Sequence, residues 1–216
     1  MQSENTAKKT VTQKSTKSGA YSQQKIITLV GTAVLAAASA GLMFLDFSVP
    51  FMPGFIKMDV SELPALLAGF AYGPVSGVMV CLIKNLFNLI FHSSTGGIGE
   101  LCNFLLGACF VLPASLIYKK SKNKKGAVLG AAIGAVLMAV LSLPINYYIS
   151  YPVYQKFMPL EAIIEMYQAI FHGVDGLFEC LLVFNVPFTL LKGLIDTLLC
   201  FLIYKPLSPV LHGKRR

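Results

Sequence analysis

Asn185, Thr189, Lys192 and Asp196 follow one another at intervals of four, three and four residues in an otherwise apolar stretch of the chain. On an α-helix those intervals bring all four to one face. An amide, a hydroxyl, an ammonium and a carboxylate in a row can hydrogen-bond a polar ligand. Alternatively, Lys192 and Asp196, one turn apart, can pair with each other and simply close a helix bundle. Near the middle of a membrane an unpaired ammonium costs roughly 2.5–3.5 kcal/mol, so Lys192 requires one or the other. Lys84 is a second cation inside an apolar segment, with Asp196 as its candidate partner from afar. Taken together, Lys84, Lys192 and Asp196 also permit a different reading, an ion pathway in an autonomous secondary carrier or channel.

Further polar groups fall towards the ends of other apolar segments. Glu100, Asn103 and Gly107 share one helical face, and Ser142 and Asn146 share another beside Pro144, a residue that bends helices. Asn103, Asn146 and Asn185 can therefore converge beneath the loops at 46–62 and 92–100, as in a ligand pocket, or each can hydrogen-bond a neighbouring helix. Catalytic constellations are missing from the pattern. The five cysteines (Cys81, Cys102, Cys109, Cys180, Cys200) have no CxxC or Cys/His ligand spacing, and His92, His172 and His212 form no HExxH motif. The Gly-rich run from Ser94 to Gly99 lacks the GK[ST] ending of a phosphate-binding loop. The expectation is a binding protein rather than an enzyme, with no metal, no resident cofactor and no ATPase of its own.

The elements that must position these residues are membrane helices. Hydrophobic residues make up 55% of the 216, charged residues only 13%, and the mean hydropathy is +0.67, too apolar for a soluble domain of this size. Six apolar segments can be delimited: Ile26 to Leu45, a short Leu63 to Tyr72, Val75 to Phe91, Leu101 to Tyr118, Gly126 to Ile149 and Leu177 to Tyr204. Of the eighteen Lys and Arg residues, all but Lys57, Lys84, Lys156 and Lys192 lie in three clusters, at 8–25, 119–125 and 205–216. Most acids lie at the alternate junctions. Because basic residues beside membrane spans stay in the cytoplasm, both termini and the 119–125 loop are assigned inside. The net charge of +8 is spent on loops, so it calls for no nucleic-acid partner. The resulting expectation is an all-α multi-pass protein of the cell membrane: a disordered cytoplasmic polar tail at 1–25, a six-helix membrane domain at 26–205 and a basic cytoplasmic tail at 206–216.

The run from Lys57 to Pro74 (KMDVSELPALLAGFAYGP), followed by Leu82 to Leu86 (LIKNL), resembles the substrate-binding S components of energy-coupling factor (ECF) vitamin transporters. Within that family, Ser94 to Phe104 (STGGIGELCNF) and Pro187 to Gly193 (PFTLLKG) resemble the riboflavin-specific branch. The resemblance spans about residues 28 to 204. It implies capture of riboflavin from outside the cell and assembly with a membrane coupling subunit and two cytosolic ATPases. It also implies that Lys192 and Asn146 contact riboflavin. Thr189 departs from the family pattern, which carries Asn three residues before that lysine, so one amide donor is exchanged for a hydroxyl. The chemistry is compatible: asparagines can read the imide-like edge of a flavin, and apolar side chains such as Phe51, Met52 and Phe55 can cover its flat ring.

The first apolar segment carries Ala33, Ala36, Ala37 and Ala40, which form two AxxxA pairs. Small residues at this spacing let helices approach closely, either within one protein or between subunits. The resemblance implies the second, with these alanines docking the coupling subunit.

Overall fold

The structure, a computed structural model, describes residues 2–93 and 96–211, with side chains over 23–93 and 96–204. Met1, Ser94, Thr95 and residues 212–216 lie outside the described residues, as do the side chains of 2–22 and 205–211; the backbone of the tail expected to be disordered at 1–25 is helical from Gln2. The chain runs through α1 (Gln2–Met43), a two-stranded hairpin of β1 (Phe47–Ser48) and β2 (Lys57–Met58), α2 (Glu62–Tyr72), α3 (Pro74–Phe91), α4 (Ile98–Ser121) and α5 (Lys124–Ile145). A π-helical turn, Asn146–Ser150, joins α5 to the short α6 (Tyr151–Tyr154). After α7 (Leu160–Gln168) comes a last long rod, made of α8 (Leu177–Cys180), a second π-turn (Leu181–Asn185) and α9 (Val186–Leu211).

Among the described residues, five helical stretches are long and apolar enough to cross a membrane: 23–43, 74–91, 98–121, 124–154 and 177–204. They coincide with five of the six anticipated segments. The sixth, α2, has only 11 residues, or about 17 Å at a 1.5 Å rise, against a hydrocarbon core of about 30 Å. It is buried on every side from Glu62 to Phe70, with Ala65, Leu66 and Ala68 wholly covered by α1, α3, α4 and α9. A helix that is hydrophobic all round belongs in the middle of a bundle, and α2 forms that middle. It reverses into α3 through Gly73 alone, whose φ of 105° excludes a side chain with a Cβ at no strain, and Pro74 starts the next helix.

Small residues set the helix spacing. On α5, Gly130 and Gly134 lie against the carbonyls of Ala114 and Phe110, where an added Cβ would come within 2.7 and 2.3 Å. Helices α4 and α5 therefore touch backbone to backbone. A second, smaller cluster of Met52, Tyr151, Ile163, Tyr167, Cys180 and Leu181 packs at the opposite end, beneath the 46–61 loop.

The two intramembrane lysines are both paired, though not as their sequence positions suggest. Lys84, wholly buried on α3, donates to Glu62 Oε1 at 2.5 Å and Ser61 Oγ at 2.6 Å, not to Asp196. Replacing Lys84 with Met strands the Glu62 carboxylate, and loss of one partner of a buried pair costs about 3–5 kcal/mol. A marked fall in the thermal unfolding midpoint of the purified protein is expected, largely recovered when Glu62→Leu is added. A single variant as stable as the parent would contradict this pairing.

Candidate ligand-binding site

Above α2 the helices enclose a cavity of about 180 Å³. Helix α4 supplies Asn103 and Leu106, and the rod containing α5 supplies Met138, Asn146, Tyr151 and Tyr154. The last rod supplies Asn185, Phe188, Thr189 and Lys192, and the loop before α2 contributes Phe55 and Ile56, with Glu62 at the floor. The stripe expected on the last helix thus opens into one cavity at three of its four positions. Asn103 and Asn146 join it from the facing helices, so the convergence of the three amides is found.

Lys192 spans the cavity to the loop. Its Nζ lies 2.8 Å from Asp59 Oδ2, with the two side chains 12% and 10% exposed. Asp59 Oδ1 in turn accepts from the backbone N–H of Ser61 at 2.9 Å and from its hydroxyl, while Ser61 Oγ accepts from Lys84. Lys192, Asp59, Ser61, Lys84 and Glu62 form one continuous polar chain across the bundle. Gly107 on α4 admits Glu62, whose carboxylate would sit 2.8 Å from a Cβ at that position. The anticipated Lys192 to Asp196 pair does not form. Side chains on a helix lean towards its N-terminus, which carries the Lys192 ammonium away from Asp196 and up to the loop. Asp196 is fully buried, and neither of its carboxylate oxygens has a hydrogen-bond partner among the described residues. Neither Lys84 nor Asp196 lines the cavity.

The apolar residues expected over the ligand divide. Phe55 lines the cavity and meets Tyr154 and Tyr167 edge to face, with ring centroids 6.4 and 6.2 Å apart. Met52 is buried in the smaller core cluster instead, and Phe51 is 75% exposed and faces away. The loop turns tightly here, with Met52 N–H bonded to Val49 O and Ile56 N–H to Pro53 O, so only the end nearest β2 reaches the site.

Tyr151 and Tyr167 are not evident as site residues from the sequence, because tyrosines just past a membrane span are as a rule interfacial. Tyr148 is indeed 74% exposed, but Tyr151 and Tyr167 are 1% and 0% exposed. Their hydroxyls bond to each other, and Tyr167 Oη donates to Asn185 Oδ1 at 2.8 Å. Burial, ahead of the neighbouring Tyr151, pushes the Tyr167 phenol far above its ordinary value, so it stays a neutral donor. The two π-turns bear directly on this geometry. Each contains a cavity asparagine, Asn146 at the start of one and Asn185 at the end of the other. Each also precedes a proline by two residues, Pro152 and Pro187, which have no N–H to continue an α-helical ladder. The N–H groups of Tyr151 and Val186 reach back five residues, to Asn146 O and Leu181 O. The extra residue re-aims the side chains around it, a device common at functional sites.

The four alanines of α1 do not share one face. Ala36 and Ala40 are buried in the bundle, with Ser39 beside them donating to Ser61 O at 2.5 Å. Ala33 and Ala37 are exposed, in line with Gly41, where an added Cβ would meet nothing. One AxxxA pair is therefore internal packing, and the other is a smooth outer strip.

Comparison with known proteins places this site in context. Residues 27–204 match the family model described as ECF transporter, substrate-specific component. The chain is 34% identical over 180 residues to the riboflavin transporter RibU of Staphylococcus aureus (strain TCH60), covering 83% of this chain and 89% of that one. It is 30% identical over 195 residues to the riboflavin transporter FmnP of Bacillus subtilis (strain 168), covering 88% and 97%. A solved S component of a bacterial ECF transporter superposes with a TM-score of 0.67 at 32% identity, covering 85% of this chain and 96% of that chain.

Proposed function

The chain belongs to the substrate-specific components of ECF transporters, and on that premise we propose that it captures riboflavin from outside the cell and delivers it inward. The observation that carries the reading is the cavity itself: three amides, a threonine, a lysine ammonium and Glu62 share one space with Phe55, Ile56, Leu106, Met138 and Phe188. A mostly apolar enclosure with a few directed polar groups is the usual design for a small-molecule site, and a flavin offers a flat ring, a polar edge and a hydroxylated chain to match it. At about 180 Å³ the cavity is smaller than the roughly 300–1,000 Å³ that enclose a ligand of this size. Entry of riboflavin therefore requires side chains at the rim to yield, and Phe55 and Ile56 on the loop before α2 are the rim.

The finer parts of the reading concern arrangement and partners. α2 counts as a sixth, abbreviated membrane helix that reaches the surface through the 46–61 loop. The three basic clusters then set both termini and the 119–125 loop in the cytoplasm, with the cavity facing out. The exposed strip of Ala33, Ala37 and Gly41 serves as the docking face for the coupling subunit, through which two ATPases supply energy.

Lys192→Met tests the ligand site. Loss of a charged hydrogen bond is worth about 1.5–3 kcal/mol, so riboflavin affinity should fall about tenfold or more in a titration of the purified variant. Unchanged affinity would reduce Lys192 to a tether for Asp59. For docking, Ala37→Leu adds bulk to the outer strip alone; cellular riboflavin uptake should drop sharply while the affinity of the isolated protein stays within about threefold, under about 0.7 kcal/mol. Parallel loss of both would make the strip part of the binding fold. Orientation is checked by a cysteine at Ser121, which should resist a membrane-impermeant thiol reagent in intact cells. Rapid labelling there would invert the topology.

A further inference from the structure

Two of the three asparagines of the cavity, Asn146 and Asn185, are held from behind by a hydroxyl. Ser150 Oγ, one turn on from Asn146, donates to Asn146 Oδ1 at 3.1 Å. Tyr167 Oη donates to Asn185 Oδ1 at 2.8 Å, and Asn185 Nδ2 lies 3.5 Å from Tyr151 Oη. A phenol has one proton. Since Tyr167 gives its proton to Asn185, the Tyr151 to Tyr167 bond must use the proton of Tyr151, and the three groups close a ring in which each donates to the next. Both phenolic protons are consumed inside that ring. What the ring and Ser150 leave for the cavity on this side is N–H from the second amide hydrogen of Asn185, both amide hydrogens of Asn146 and the Lys192 donors not spent on Asp59, beside the hydroxyls of Thr189 and Tyr154, which can donate or accept.

We propose that Ser150, Tyr151 and Tyr167 are positioning residues that lock Asn146 and Asn185 with their amide nitrogens towards the ligand. The wall formed by α9 and the π-turns then presents mostly N–H donors, with Thr189 as the one hydroxyl among them, and selects for a ligand edge rich in hydrogen-bond acceptors. This rests on riboflavin being the ligand and specifies how it sits. The carbonyl oxygens of the isoalloxazine face Asn146, Asn185 and Lys192, and the imide N–H, which lies between them on the same edge, meets the hydroxyl of Thr189, the one group on that stripe able to accept. Unsatisfied polar atoms in a buried site are penalised heavily, so a locked donor array rejects a ligand edge that presents N–H in place of oxygen.

The test is a double-mutant cycle on the full-length purified protein, read by quenching of riboflavin fluorescence. Asn185→Asp keeps the size of the side chain and its bond from Tyr167 but replaces the nitrogen with an acceptor, and should weaken binding at least tenfold. Tyr167→Phe keeps the ring and frees the amide to turn, and should weaken binding about fivefold. With both changes, binding should be within about twofold of Asn185→Asp alone, because a carboxylate has no orientation to lock. Penalties that multiply would show that Tyr167 acts through packing, and Asn185→Asp binding within twofold of the parent would show that the ligand draws no donor from Asn185. Either result overturns the proposal. Should a variant fail to fold, the unaltered protein can be titrated with 2-thio and 4-thio riboflavin, whose sulfur accepts hydrogen bonds poorly. At least one should bind fivefold or more weakly than riboflavin, and binding of both within fivefold of riboflavin overturns the proposal. A parent protein that does not quench riboflavin at all defeats the ligand reading instead, and the proposal with it.

Discussion

Ionised side chains inside a bundle of apolar helices must be paired, and the rest of this molecule is arranged around meeting that demand. Lys192 and Lys84 sit on different long helices, and both are satisfied from one short stretch, Asp59 to Glu62, at the entrance to α2. That stretch cannot lie at the surface. It is drawn into the bundle, and with it come the 46–61 loop above and the buried helix α2 below. The cavity is the space left between this polar crossing and the ends of α4, α5 and α9 nearest the 46–61 loop. A salt bridge so placed adds little net stability over well-packed apolar residues, but losing either partner is costly. Its value here lies in location, since it carries a cation to a wall where a ligand can reach it.

Much of this was readable from residue order. The 4–3–4 spacing on the last helix holds because an α-helix of any origin puts those positions on one face, and three of them do enter the cavity. Of the six apolar segments delimited in the sequence, five correspond to membrane-length helices within a few residues, and the sixth is the short buried α2. The partners of the lysines were not readable. Asp59 lies 133 positions from Lys192, and no periodicity links a loop to a distant helix. Nearness in sequence favoured Asp196, whereas the lean of side chains towards a helix N-terminus points the other way.

The π-turns are the second feature that pattern alone concealed. Tyrosines just past a membrane span are as a rule interfacial, yet Tyr151, next after the first π-turn, is buried in the core beside Tyr167. The prolines two residues beyond each turn were the available sign. The alanines teach the converse. Four small residues on one helix suggest one interface, yet a helix in a bundle has two sides, and the pairs Ala36 and Ala40, Ala33 and Ala37 answer to different neighbours.

A cavity built this way joins recognition to architecture: the residues that hold α2 in place also form the floor and one wall of the site. The account stands or falls on the ligand, and the most direct measurement is the visible absorption spectrum of the purified protein after exposure to riboflavin and removal of the excess. A flavin band corresponding to about one molecule per chain is the predicted result. A colourless protein that retains its helical fold would contradict it.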